Sequence, residues 1–288
     1  MKKFVLFYFL VIALFVCFFY HSSVPEERFI RVLNHKTGQV EEMAENAYLT
    51  GVVAGEMPES FHFEALKSQA VAARTYLYEK LKNPTHKEAD ICDNPACCCA
   101  YKITTNCDKI KRAVQDTKGE YITYQKEPIS AVFHSAAGGG RTENSEDVWQ
   151  KPLPYLKSVE TSGEDVKKEY ETKISYSIDN FRQILKNAYP EADFNKPVFE
   201  NISYTKGNSV DKITLYGVTM RGVKVRSLYN LRSACFDISL NDGVTFTTYG
   251  YGHGVGMSQY GANYMASQGK NYREILTHYY TDVEITKK

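Results

Sequence analysis

Polar and apolar residues alternate with two different periods along this chain. Between Ser60 and Lys82, Leu66, Ala70, Ala73, Leu77 and Leu81 recur at spacings of three and four, so one apolar stripe runs down a helix. Ser60, just after Pro58, is the expected N-cap, and Asn83-Pro84 ends the helix. Period-two alternation marks Phe29 to Leu33 as a strand, and Val40 to Met43 returns as its hairpin partner across the turn Asn34 to Gly38. Glu120 to Tyr124 and Ile129 to His134 read as strands around the turn Gln125 to Pro128. Further strands are expected at Val210–Val218, Val223–Val225, Phe236–Leu240 and Val244–Tyr249, with Asn241-Asp242-Gly243 as a hairpin turn. Helices are expected near Ile178–Ala188, Gln259–Ser267 and Tyr272–Tyr279. Ala47 to Ala54 is a small-residue, mostly apolar stretch leading into Gly55-Glu56-Met57-Pro58. Short strands and helices mix without βαβ alternation, which predicts an α+β fold in one domain over residues 29–288.

The start of the chain follows neither period. Lys2 and Lys3 precede Phe4 to Tyr20, a run without charge that would reach roughly 25 Å as a helix, near the lower limit for a membrane span. It ends on Cys17-Phe18-Phe19-Tyr20-His21, without the small-x-small pattern of a cleaved signal. Residues 1–23 are therefore expected to be a single N-terminal transmembrane anchor and 24–28 a linker, with the lysines inside and the rest exported.

Composition narrows the possible partners. With 43% hydrophobic and 24% charged residues the chain is ordinary globular protein, not a disordered one. The net charge is +1, and without Lys2 and Lys3 it is 33 basic against 34 acidic residues, so no basic field exists for nucleic acid. The aromatic share of 13%, mostly Tyr, supplies stacking surfaces or a sizeable core.

Two groups carry candidate chemistry. Five of the seven cysteines, Cys92, Cys97, Cys98, Cys99 and Cys107, crowd beside His86. Three consecutive cysteines cannot easily pair with one another, whereas tetrahedral zinc takes four such N/S donors. His86, Cys92, Cys97 and Cys98 are the expected ligands of a closed, structural Zn2+ site, with Cys99 and Cys107 in reserve; disulfides remain the alternative in an exported chain. The second group is Glu56, whose neighbours are apolar and which has no cation within ten residues on either side. Burial there would raise its pKa, as a general acid requires; an exposed loop glutamate is the alternative.

Longer motifs connect these groups. Tyr48-Leu-Thr-Gly-Val-Val-Ala-Gly-Glu56-Met-Pro, Gln69-Ala-Val-Ala-Ala-Arg74-Thr-Tyr76, Asp90-Ile-Cys92-Asp, His134-Ser-Ala-Ala-Gly-Gly-Gly-Arg-Thr142, Asp147-Val-Trp149, Leu231-Arg-Ser233 and Gly252-His-Gly-Val-Gly-Met-Ser-Gln-Tyr-Gly-Ala262 occur in this order. The chain resembles the stage II sporulation protein D family from about residue 29 to its end. The resemblance implies a sporulation lytic transglycosylase that cuts the β-1,4 bond from N-acetylmuramic acid to N-acetylglucosamine in peptide-free peptidoglycan glycan strands and leaves 1,6-anhydro ends. It implies Glu56 as acid/base and Arg74 as a second residue needed for activity, in a catalytic domain at residues 29–288. Gln69, Tyr76, His134, Ser135, His253, Ser258, Gln259 and Tyr260 are the expected substrate contacts. A partner amidase and a membrane protein of the engulfment complex are implied partners, and the outer face of the mother-cell membrane is the implied location. The family's zinc loop reads Cys-Asp-x-x-x-His-Cys-Gln; here Cys97 replaces the His and Cys99 the Gln, so the choice among Cys97, Cys98 and Cys99 stays open. A different class is also possible, a non-catalytic glycan-binding enhancer of an amidase.

Overall fold

The computed structural model describes residues 27–103, 107–165 and 170–288. The expected anchor at residues 1–23 and most of the linker lie outside them. Among the described residues no helix is long and apolar enough to cross a membrane.

The chain starts with the expected hairpin of β1 (Phe29–Leu33) and β2 (Val40–Ala44), which runs directly into helix α1 (Glu45–Glu56). The stretch read only as small and apolar is thus this helix, with Tyr48, Leu49, Val52 and Val53 buried. Helix α2 (Phe63–Lys82) follows. It is not capped by Ser60, because Pro58 to Phe61 closes a turn and the helix begins three residues later; the His62 N–H is held instead by Asn263 Oδ1 at 2.7 Å. Strand β3 (Ile91–Cys92) joins β1 in parallel, and α3 (Asp108–Asp116) leads into β4 (Glu120–Tyr124) and β5 (Glu127–Pro128). The strand expected over Ile129–His134 shrinks to β6 (Phe133–His134), because tight turns from Ile129 to Val132 divert the backbone. Helix α4 (Ser145–Trp149) ends this part of the chain.

A second unit then intervenes. Strand β7 (Glu171–Tyr176) and helix α5 (Ile178–Ala188) come first, followed by β8 (Glu200–Tyr204), β9 (Val210–Leu215) and β10 (Val218–Arg221). Helix α6 (Gly222–Leu228) occupies the place where Val223–Val225 had been expected as a strand. Two alternating valines are too short a pattern to distinguish the periods; Val225 is buried in the unit's core, and that packing favours the helix. Strands β11 (Phe236–Leu240) and β12 (Val244–Tyr249) close a sheet of order β11-β12-β7. This unit has its own core, in which Phe181 stacks on Tyr229 with ring centroids 4.6 Å apart and both lie against Phe246.

The chain then returns. Strand β13 (Met257–Ser258) pairs in parallel with β6, helices α7 (Gln259–Ser267) and α8 (Tyr272–Tyr279) follow as expected, and β14 (Glu284–Lys287) pairs with β4. Helix α2 is the axis of the first core, packed on α1, α3, α7, α8 and β4. The expected α+β class is observed, built as two cores with the second inserted into the first. Glu143 Oε1 accepts from the Ser209 N–H at 3.2 Å across their junction.

Arg74 lies at the centre of the first core with no exposure. Its guanidinium donates to the carbonyls of Thr117 (2.8 Å), Glu120 (3.2 Å) and Val114 (3.2 Å), and to Glu45 Oε1 (3.3 Å). One side chain therefore satisfies the open C-terminal carbonyls of α3 and ties α2 to α1. Arg74→Met would leave a buried carboxylate and three carbonyls without that partner. A loss of about 3–5 kcal/mol in unfolding free energy by denaturant titration is expected, with Arg74→Lys recovering only part because an ammonium lacks the planar fork.

Candidate functional site

A cleft of about 700 Å³ opens where α1 ends, and Glu56 lines it. The carboxylate is gripped from two sides. Oε1 accepts from the Ala100 backbone N–H at 2.8 Å, and Oε2 accepts from Gln259 Nε2 at 3.0 Å. Burial raises its pKa and outweighs these two hydrogen bonds, which act in the opposite direction. The apolar run before Glu56 thus does lead to a buried carboxyl whose neutral form is favoured more than in water.

The Ala100 amide reaches Glu56 because α1 is small on one side. A Cβ on Gly55 would stand 2.9 Å from the Ala100 carbonyl carbon, and one on Gly51 would enter the Tyr101 ring. Tyr101 in turn stacks on Tyr48 with centroids 5.9 Å apart, and the Lys102 N–H bonds the Gly51 carbonyl at 3.0 Å. Thus residues 100–102 are laid along α1.

Just ahead of that segment sits the Cys/His cluster. One donor atom from each of His86, Cys92, Cys97 and Cys98 lies within 4.8 Å of all the others. His86 Nε2 is 3.6 Å from Cys97 Sγ and 3.5 Å from Cys98 Sγ, and the two sulfurs are 3.9 Å apart. Tetrahedral zinc, with bonds of about 2.3 Å to sulfur and 2.0–2.1 Å to nitrogen, needs edges of roughly 3.6–3.8 Å. The three edges among His86, Cys97 and Cys98 fit that geometry, and Cys92 is close enough to be the fourth donor. Cys99 and Cys107 point into the first core instead, and all six described cysteines are free thiols, so the disulfide alternative has no support among them.

The opposite wall is built by the β6–β13 pairing, which brings His134 beside His253 with centroids 5.7 Å apart. One residue fixes both rings: Val255 accepts from His134 Nδ1 at 3.1 Å through its carbonyl and donates its N–H to His253 Nδ1 at 3.1 Å. Burial first, and then the neighbouring ring, pushes His134 down to about 3; burial and Arg226 push His253 down to about 4. Both are neutral at physiological pH. His134 then presents a bare Nε2, a buried acceptor without a partner among the described residues. Trp149 tilts over His253 at 5.1 Å, and Tyr251, with the Arg232 guanidinium 5.2 Å over its ring, lies on the same wall; they are 42% and 46% exposed. Arg221 holds Trp149 from behind by donating to the carbonyls of Asp147 and Val148.

Of the residues expected from the sequence, Glu56, Tyr76, His134, Ser135, His253 and Gln259 line this cleft. Arg74, Gln69, Ser258 and Tyr260 do not. Gln69 is fully buried in α2, Ser258 caps α7 by accepting from the Gly261 N–H, and Tyr260 packs its edge on Phe61. Tyr251 lines it too, in the Tyr- and Gly-rich segment whose ring faces suit stacking, while Trp149 and Arg226 line it without having been singled out as contacts. Trp149 carried a signal, being the one Trp of the chain and part of a quoted motif; Arg226 carried none.

A family model described as stage II sporulation protein matches residues 33–124, which include Glu56 and the whole Cys/His cluster. Stage II sporulation protein D of Bacillus amyloliquefaciens is 37% identical over 273 residues, 89% of this chain and 77% of that protein. Its counterpart in Bacillus subtilis (strain 168) is 36% identical over 264 residues, 86% of this chain and 76% of that one. An amidase enhancer of Bacillus subtilis (strain 168) is 29% identical over 294 residues, 83% of this chain and 40% of that protein. With 37% and 36% identity over 89% and 86% of its length, this chain belongs to the stage II sporulation protein D family.

Proposed function

We propose that this sporulation-family protein is a peptidoglycan lytic transglycosylase acting on peptide-free glycan strands, with Glu56 as its single acid/base. The observation that supports this most is the carboxyl inventory of the cleft: among the described lining residues Glu56 is the sole acid. A hydrolase needs two carboxylates, one to protonate the leaving oxygen and one to activate water or attack the sugar. A single one suffices when the nucleophile is already tethered to the substrate.

The proton cycle is as follows. Protonated Glu56 gives its proton to the glycosidic oxygen as the bond from C1 of the muramyl residue breaks. The resulting carboxylate is stabilised by the Ala100 N–H and the Gln259 amide, which already point at it. It then takes the proton of the muramyl 6-hydroxyl as that oxygen bonds to C1, which closes the 1,6-anhydro ring and restores the acid. Trp149 and Tyr251 supply ring surface for sugar rings. Arg74, remote from the cleft, acts through the fold by fixing α1 and α3 on α2. His86, Cys92, Cys97 and Cys98 would hold a structural Zn2+, which clamps the loop that presents the Ala100 amide. Residues 1–23 would anchor the protein in the cell membrane with this domain on the outer face, in the space between mother cell and forespore. There a partner amidase would supply peptide-free strands within the engulfment complex.

The deciding experiment is mass spectrometry of the products when the chain lacking residues 1–23 meets peptide-free glycan. Anhydro-muramyl ends are expected; reducing ends only would overturn the reading. Glu56→Gln should lower anhydro product by at least about 10²-fold while glycan binding survives, and Glu59→Gln should stay within a few-fold. Full activity of Glu56→Gln would exclude Glu56 as the acid/base, and no product from either chain would favour the enhancer reading, which the likeness to an amidase enhancer keeps in view.

The raised pKa of Glu56 also fixes signs with pH. Between its ordinary and its raised value the folded chain holds more protons than the unfolded one, so this group lowers stability as pH rises through that window. Glu56→Gln should therefore melt higher than the parent at neutral pH, with the gap closing below pH 4. Turnover of the parent should decline on the alkaline side of the same raised pKa.

Metal analysis should find one zinc per chain. Chelation should lower both melting temperature and turnover, since metal binding is folding free energy for such a loop and the Ala100 amide goes with it. Zinc-free protein with unchanged melting and turnover would refute the clamp.

A further inference from the structure

The cleft holds one carboxyl and, among its described lining residues, one guanidinium, Arg226. Arg226 stands on the last turn of α6 and is delivered by the second core. Its Nε donates to the Leu231 carbonyl at 3.3 Å, and among the described residues no carboxylate pairs with it. Burial pulls its pKa below the usual arginine value, the sign of a cation kept out of water without a counter-ion. Its cleft neighbours His134 and His253 are neutral and offer no negative charge. The cleft beside Arg226 is thus electropositive, with no carboxylate among the described residues paired to it.

A half-buried guanidinium of this kind is suited to a planar anion, which it grips with two parallel N–H donors. A muramyl sugar carries such a group, the carboxyl of its 3-O-lactyl chain. That carboxyl is a free anion when the stem peptide has been removed and an uncharged amide when it has not. We infer that Arg226 binds the free lactyl carboxylate of a muramyl residue in the cleft and is the residue by which peptide-free glycan is distinguished from peptide-bearing glycan. The inference rests on the muramyl-glycan reading of the cleft. An amide at this position would lose the charge and turn an N–H donor towards the guanidinium.

The test uses the Glu56→Gln chain lacking residues 1–23, so that the ligand is not cut. Calorimetry compares a muramyl tetrasaccharide with free lactyl carboxylates and the same tetrasaccharide coupled to methylamine. The free acid should bind at least about tenfold more tightly, the scale of a charge-assisted hydrogen bond. Adding Arg226→Met should bring the ratio of the two affinities close to one, and Arg226→Lys should restore part of it. Circular dichroism and melting confirm that each variant is folded. Equal binding of the two ligands, equal weakening of both by Arg226→Met, or binding of neither overturns the inference. If the ratio follows Arg226 as expected but the wild-type chain makes no anhydro ends, the lytic reading fails and carboxylate recognition stands.

Discussion

The arrangement rests on a carboxylate held between a backbone amide and a side-chain amide that come from opposite ends of the domain. Glu56 ends α1, Ala100 follows the Cys/His cluster, and Gln259 opens α7. Each neighbour has a structural reason to be there. The glycines of α1 let the 100–102 segment lie flat, the Cys/His cluster directly precedes that segment, and Ser258 caps the helix that carries Gln259. The β6–β13 pairing sets the far wall from the same segment that places Gln259. Loosening any of these would move a donor or a wall away from the acid.

The grip has two opposed effects. The two donors favour the ionised form and burial favours the neutral one, and burial is the larger. An acid that must release and then recover a proton works best when neither form is overwhelmingly preferred. The cost falls on stability, because the folded chain keeps a carboxyl partly out of water at neutral pH. Arg74 is the opposite case, a buried charge saturated with partners.

Much of this was readable in the sequence where a pattern was long. The stripe on α2, the hairpin of β1 and β2 and the last two helices stand as expected, because each repeats its period often enough to exclude the other. The cluster of His86 with Cys92, Cys97 and Cys98 was legible because crowded thiols have few other uses. Short pieces were not: Val223 and Val225 fit either period, and tertiary packing made them helical. Ser60 has the right chemistry for a cap but lies in a turn dictated by Pro58. Arg226 was invisible as a cleft residue because its place there, with no carboxylate partner among the described residues, depends on how the second core folds and leaves no mark in a linear pattern. Gln69, with the chemistry of a sugar contact, is buried in the core, since nothing in its spacing tells cleft from interior.

The bond between Gln259 and Glu56 joins residues 203 positions apart. Its consequence lies in biosynthesis. Contacts of such long sequence separation form late, after the intervening chain has paid its loop-closure entropy, and here an entire second core lies in between. A nascent chain that has displayed the acid, the cysteines and the first core still lacks the side chain that completes the grip. The cleft is complete only once nearly the whole domain has been made and folded, so fragments left by stalled synthesis or early proteolysis carry Glu56 without its Gln259 partner.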